Sequence, residues 1–126
     1  MYLLDTNIFL EILLSQEKKD ICKEFIVLNI GNIYISDFSF HSIGVILFRN
    51  NKEIIFNRFV KDIIGKIKIL TLPEELYSDL STVKEKFGLD FDDAYQFKTA
   101  EEHGVAIVTL DKDFEKISAE IEIAFL

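Results

Sequence analysis

Apolar and polar positions alternate in blocks along this chain, and the blocks follow two different periods. Tyr2-Leu3-Leu4 is a short apolar run closed by Asp5, which reads as a buried strand. Ile8 to Leu14 returns apolar side chains at helical spacing, with Thr6 or Asn7 placed to cap it. Lys18 to Leu28 predicts a second amphipathic helix, with Ile21, Cys22, Phe25 and Leu28 on one face. Gly31-Asn32 marks a turn, and Ile33 to Ile35 reads as a second strand. Ser36 to Phe48 is helical in pattern, with Ser36, Asp37 or Ser39 as its cap. Asn50-Asn51 interrupts, and a helix resumes from Ile54 to Ile64, ended by Gly65. Ile67 to Leu72 reads as a third strand stopped by Pro73. Glu74 to Phe87 is a helix that Pro73 and two early acids start and Gly88 ends. Asp90 or Asp92 opens a helix running to His103, closed by Gly104. Val105 to Thr109 is a β-branched run and a fourth strand, and Ile121 to Phe125 is a last strand.

Short apolar strands separated by helices predict an α/β fold: a parallel open sheet of about five strands flanked by helices. Its 126 residues fit one domain spanning 1–126, and neither a linker nor an internal repeat interrupts them. In such sheets, sites form at the carboxyl ends of the strands.

Composition narrows the setting. Apolar residues are 49% of the chain, enough for a core, yet no apolar stretch approaches bilayer length. The opening residues meet an acid at Asp5 without a basic segment, unlike a secretory signal. A single cysteine, Cys22, excludes an internal disulfide framework and a Cys-based zinc site, and reads as a small core residue. Together these features predict a cytoplasmic protein with no membrane association. The net charge of −8 excludes a coat protein with a general nucleic-acid-binding basic face. It leaves room for an enzyme acting on nucleic acid, because a metal neutralises clustered acids.

The acids at strand ends carry the chemistry. Asp5 follows the first strand directly, and Asp111 stands two residues beyond Thr109, the end of the fourth. Asp93 lies in the first turn of the helix leading into that strand. Three acids distant in sequence therefore fall at the edge where an α/β fold builds its site, as ligands for a hard cation such as Mg²⁺ or Mn²⁺. Clustered carboxylates repel one another and a cation relieves the repulsion. Such an ion activates water and stabilises charge on a phosphodiester. Each acid also has a plainer reading, as a helix cap, a turn former or a partner of the helix dipole.

These segments resemble the PIN-domain family of metal-dependent ribonucleases, which includes type II toxins of VapC type. Leu3-Leu4-Asp5-Thr6-Asn7 resembles the family's first motif, in which the Asp binds metal. Asp93-Ala94-Tyr95-Gln96 with Ala100 is similar to its central helix motif, and Val108-Thr109-Leu110-Asp111-Lys112-Asp113-Phe114 to its last. The resemblance covers nearly the whole chain. It implies metal ligation by Asp5, Asp93 and Asp111, support from Asn7 and Thr109, an RNA substrate, an antitoxin partner and a homodimer.

One family position departs. PIN nucleases carry a Glu on the helix after the second strand, and by register it falls here at Ser42, beside His41. Three replacements are open. His41 ligates a metal or moves a proton, Ser42 holds a metal-bound water, or Asp37 reaches in from the helix start. Otherwise His41 is only hydrogen-bonded near the core. Asp113 is read as an exposed turn residue and His103 as a favourable charge at a helix end. Two functions follow: a metal-dependent endoribonuclease, or a PIN-like domain that binds RNA or protein without cutting. A phosphatase-type reading wants a second Asp where Asn7 stands.

Overall fold

A parallel ladder organises the molecule. The computed structural model describes residues 1–63 and 65–126, so the carboxyl end of the helix expected over 54–64 lies outside the described residues at Ile64. Strands β1 (Tyr2–Leu4), β2 (Ile33–Ser36), β3 (Lys68–Leu70), β4 (Ala106–Thr109) and β5 (Ile123–Phe125) form one sheet in the order β3-β2-β1-β4-β5. Every pairing is parallel. The chain adds strands on one side of β1 and then crosses to the other side with β4. The topological switch point therefore falls between β1 and β4, where open α/β sheets leave a crevice.

Helices cover both faces, as a parallel sheet requires. They are α1 (Thr6–Leu13), α2 (Lys19–Leu28), α3 (Asp37–Arg49), α4 (Glu53–Ile63), α5 (Leu80–Phe87) and α6 (Phe91–His103), with 3₁₀ turns at Glu74–Asp79 and Lys112–Ile117. Alternation along the strands divides the core in two. Leu3 and Ile107 pack with Leu80, Tyr95, Phe97 and Phe114 on one face. Leu4, Ile33, Ile35 and Val108 pack with Ile8, Ile43, Leu47 and Phe59 on the other. Cys22 is fully buried in this second core.

Several boundaries shift for identifiable reasons. Asp5, rather than Thr6 or Asn7, caps α1: its carboxylate accepts from Thr6 N, and the helix starts two residues earlier than the pattern suggested. Ser36 caps α3 through a bond from Ser39 N at 3.0 Å. The third strand stops at Leu70 because the Leu72 N–H donates to Tyr95 Oη at 3.2 Å, not to a strand neighbour. The helix expected from Glu74 begins as a 3₁₀ turn, whose Tyr77 ring meets Tyr95 edge-on at 5.8 Å; regular α turns start at Leu80 and carry Leu80 and Val83 inward. On α2 the expected face is rotated. Cys22 points into the core, while Ile21 and Leu28 are 51% and 74% exposed. The helix packs chiefly on α1, so a narrow stripe suffices to seat it. The last strand starts at Ile123, because Ile121 N still donates back to Ile117 O at 3.3 Å. No helix among the described residues is long and apolar enough to cross a membrane.

Candidate metal centre

Strand register brings the first two acids together. Leu4 pairs with Val108, and Asp5 N extends the ladder by donating to Val108 O at 2.9 Å. The next positions, Asp5 and Thr109, are therefore neighbours across the switch point. Thr109 Oγ1 donates to Asp5 Oδ2 at 2.8 Å and accepts from Asp111 N at 2.9 Å. One buried hydroxyl thus links both strand-end acids. Asp111 then caps the following 3₁₀ turn, its Oδ1 accepting from Asp113 N at 2.9 Å.

Helix α6 delivers the third acid. Asp90 is its N-cap, accepting from Asp93 N at 2.9 Å, which fixes Asp93 in the first turn. Carboxylate oxygens of Asp93, Asp111 and Asp113 lie within 4.8 Å of one another. Asp5, Asp90, Asp92, Asp93, Asp111 and Asp113 line one cavity of about 390 Å³, and Asn7 and Ser42 stand on its wall. Asn7 Oδ1 accepts from Leu110 N at 3.3 Å, tying α1 to the turn that carries Asp111.

Burial and mutual repulsion set the electrostatics. The Asp93 carboxyl is pushed up to about 7, first by burial and then by the charges of Asp90, Asp5, Asp111 and Asp113. Asp5 is also raised, because burial outweighs the bonds it receives from Thr109, Gln96 and Thr6 N. Asp92 is raised by burial and by Asp90 beside it. A cavity walled by carboxylates that resist ionising together has the oxygen donors that a hard divalent cation takes.

The structure sorts the residues singled out in the sequence. It gathers Asp5, Asp93, Asp111, Asn7, Ser42 and Thr109 at one site. It does not bring His41 there. His41 is exposed and lines a neighbouring groove with Asp37, Phe40 and Phe48, one position round the α3 helix from Ser42. Successive helical residues project about 100° apart, so only one of the two can face the acids. Asp37 does not substitute either: its Oδ1 accepts from Tyr95 Oη at 2.6 Å and from Phe38 N at 2.8 Å, and it lines the groove of His41 and not the acidic cavity. Asp113 is a correction of the opposite kind. It is exposed as expected, yet its carboxylate joins Asp93 and Asp111. The Asp-x-Asp spacing at the start of a tight turn was the available signal. His103 Nε2 donates to Thr71 O at 3.0 Å, in keeping with a structural role.

Gln96 is the site residue that the sequence pattern passed over. It is 1% exposed on α6 among Ala94, Tyr95, Phe97 and Ala100. Its Nε2 donates to Asp5 Oδ1 at 3.2 Å and to Ser39 Oγ at 2.7 Å. Its Oε1 is buried without a partner among the described residues. Leaving such an acceptor unpaired costs about 1–3 kcal/mol. A polar side chain on the buried face of a central helix was the overlooked signal.

An open parallel sheet with an acidic crevice at its switch point defines an α/β domain built around a cluster of carboxylates. Residues 2–120 match the family model of the PIN domain, and the chain belongs to the PIN domain family. Solved structures resemble it as well. A toxin-antitoxin complex from Klebsiella pneumoniae is 20% identical, with 90% of each chain covered and a TM-score of 0.72. FitAcB from Neisseria gonorrhoeae is 20% identical, covering 98% of this chain and 96% of that one, with a TM-score of 0.74. VapBC2 from Rickettsia felis, bound to a DNA fragment from their promoter, is 20% identical over 97% of each chain, with a TM-score of 0.74. At this identity these likenesses establish the fold. No curated protein matches the sequence.

Proposed function

We propose that this chain is a metal-dependent endoribonuclease of PIN type and the toxin of a type II toxin–antitoxin pair. The observation that carries the catalytic part is the convergence of Asp93, Asp111 and Asp113 within 4.8 Å at the switch point, with Asp5 on the same cavity wall. Asp5, Asp93 and Asp111, joined by Asp113, would hold Mg²⁺ or Mn²⁺. Bound there, the ion supplies Lewis acidity toward a phosphodiester oxygen and toward the attacking water. Thr109 holds Asp5 and the Asp111 backbone in fixed relation. Asn7 uses its carbonyl oxygen on Leu110 N, which leaves its amide NH₂ to donate to a phosphate oxygen. Ser42 offers a hydroxyl where the family resemblance leads one to expect a carboxylate.

Two features support the partner assignment. The similar Klebsiella pneumoniae structure is a toxin-antitoxin complex. An apolar groove of about 640 Å³ runs between α1, α2 and α4, with Ile12, Leu13, Val27 and Ile55 on its walls, the kind of surface that takes an amphipathic helix. A homodimer in the cytoplasm belongs to the same reading. Ser42 favours a second reading, in which the domain binds metal and a partner without cutting RNA.

Purified protein incubated with Mn²⁺ and a mixture of single-stranded and hairpin RNAs separates the two. Cleavage that EDTA and Asp93→Asn both abolish supports the nuclease. Intact RNA across the mixture, from a protein that still binds Mn²⁺, supports the binding module.

A further inference from the structure

We propose that Gln96 is a positioning residue for the metal centre, acting through Asp5; this rests on the metal reading above. Its amide is the only side-chain donor from α6 to Asp5 among the described residues. Three donors surround that carboxylate. Thr6 N at 2.8 Å and Gln96 Nε2 at 3.2 Å reach Oδ1, and Thr109 Oγ1 at 2.8 Å reaches Oδ2. A carboxylate oxygen accepts about two hydrogen bonds. Oδ1 is therefore filled, and the one remaining acceptor position belongs to Oδ2, beside Thr109. Gln96 thus determines which oxygen of Asp5 is free to meet a cation.

The orientation of the amide is not arbitrary. Turned the other way, Oε1 would face Asp5 Oδ1, an acceptor against an acceptor. The observed orientation gives Nε2 both Asp5 and Ser39, and leaves Oε1 buried and unpaired. An apolar side chain would fill this core position without an unpaired atom, and the helix is apolar on either side of it. An unfavourable buried group that persists beside an acidic cavity belongs with the site. Ser39 braces the arrangement: its Oγ also meets Thr6 Oγ1 at 2.8 Å and Ser36 Oγ at 3.2 Å, so α1, the β2 end and α6 converge on Gln96.

The test is a double-mutant cycle on Mn²⁺ affinity, measured by calorimetry on the whole chain, with thermal unfolding in EDTA as the fold control. Gln96→Met keeps length and removes the amide. It weakens Mn²⁺ binding about tenfold or more, the scale of losing a group that orients a ligand. In an Asp5→Asn background the same change has no further effect, since its route to the metal is gone. Ser39→Ala weakens binding several-fold in the native background and not in Asp5→Asn, which keeps the test open if Gln96→Met fails to fold. Thr99→Val removes another buried unpaired atom from α6, away from the acids, and leaves Mn²⁺ affinity unchanged. Equal losses in both backgrounds, or Mn²⁺ binding by Gln96→Met and Ser39→Ala within twofold of the native chain, overturn the positioning role alone. Failure of the native chain to bind Mn²⁺ overturns the metal reading and this role with it.

Discussion

Asp93→Asn is expected to stabilise the metal-free protein while removing its response to metal. The native carboxyl sits in a half-buried cluster that pushes it from 3.8 up to about 7. At about 1.4 kcal/mol per pH unit, the charged form is disfavoured by at most about 4 kcal/mol. The side chain is partly exposed, and solvent screening reduces this to about 1–2 kcal/mol. No hydrogen bond to the Asp93 carboxylate opposes the change among the described residues. The sign follows from proton binding. Between 3.8 and about 7 the folded state holds a proton that the unfolded state has lost, so native stability falls as pH rises. The penalty is complete above about 7 and gone below about 4. In EDTA at pH 8 the variant should therefore melt about 3–8 °C above the native protein, and the gap should close on acidification. Millimolar Mn²⁺ should raise the native midpoint and leave that of Asp93→Asn nearly unmoved. Urea or thermal unfolding at pH 5 and pH 8, with and without metal, measures all four values. A variant no more stable than the native chain at pH 8 in EDTA, or a gap that widens at pH 5, refutes the electrostatic account.

Three further outcomes follow from the same geometry. Thr109→Val is isosteric but strands Asp5 Oδ2 and Asp111 N, and should cost about 1–3 kcal/mol by urea unfolding together with a loss of Mn²⁺ affinity. Ser42→Glu adds a carboxylate to the cavity wall. It should tighten Mn²⁺ binding and lower metal-free stability at pH 8, and unchanged affinity would show that this position does not face the ion. His41→Ala should leave Mn²⁺ affinity and any RNA cleavage within twofold, because His41 lines a groove apart from the acids; a tenfold loss in either would return it to the site.

Much of the fold was legible because each strand and helix, taken singly, follows from the pattern of a few neighbouring residues. Tyr2-Leu3-Leu4 and the Val105–Thr109 run declare themselves by unbroken apolar character, and Gly88 and Gly104 end their helices in the left-handed region that glycine adopts freely. Pattern misled where packing overrode it. Ile21 and Leu28 look like core residues, but α2 touches the body through a narrow stripe and leaves them in water. Asp5 was legible as a site acid, but its second role as the α1 cap was not, since Thr6 and Asn7 are equally good caps by composition. His41 and Ser42 were inseparable by type or spacing; the rotation of α3 against the sheet chose Ser42.

The acidic centre divides the same way. Periodicity and the three family-like motifs were enough to place Asp5, Asp93 and Asp111 at strand and helix ends, because those positions depend on neighbours a few residues away. That Asp113 comes within 4.8 Å of Asp93, or that Gln96 turns its amide onto Asp5, depends on the register of β1 against β4 and on where α6 crosses the sheet. Register and crossing are set by contacts between segments some ninety to one hundred residues apart, such as Gln96 with Asp5 and Thr109 with Asp5. No short stretch of sequence contains both sides of such a contact, so only the assembled core decides it.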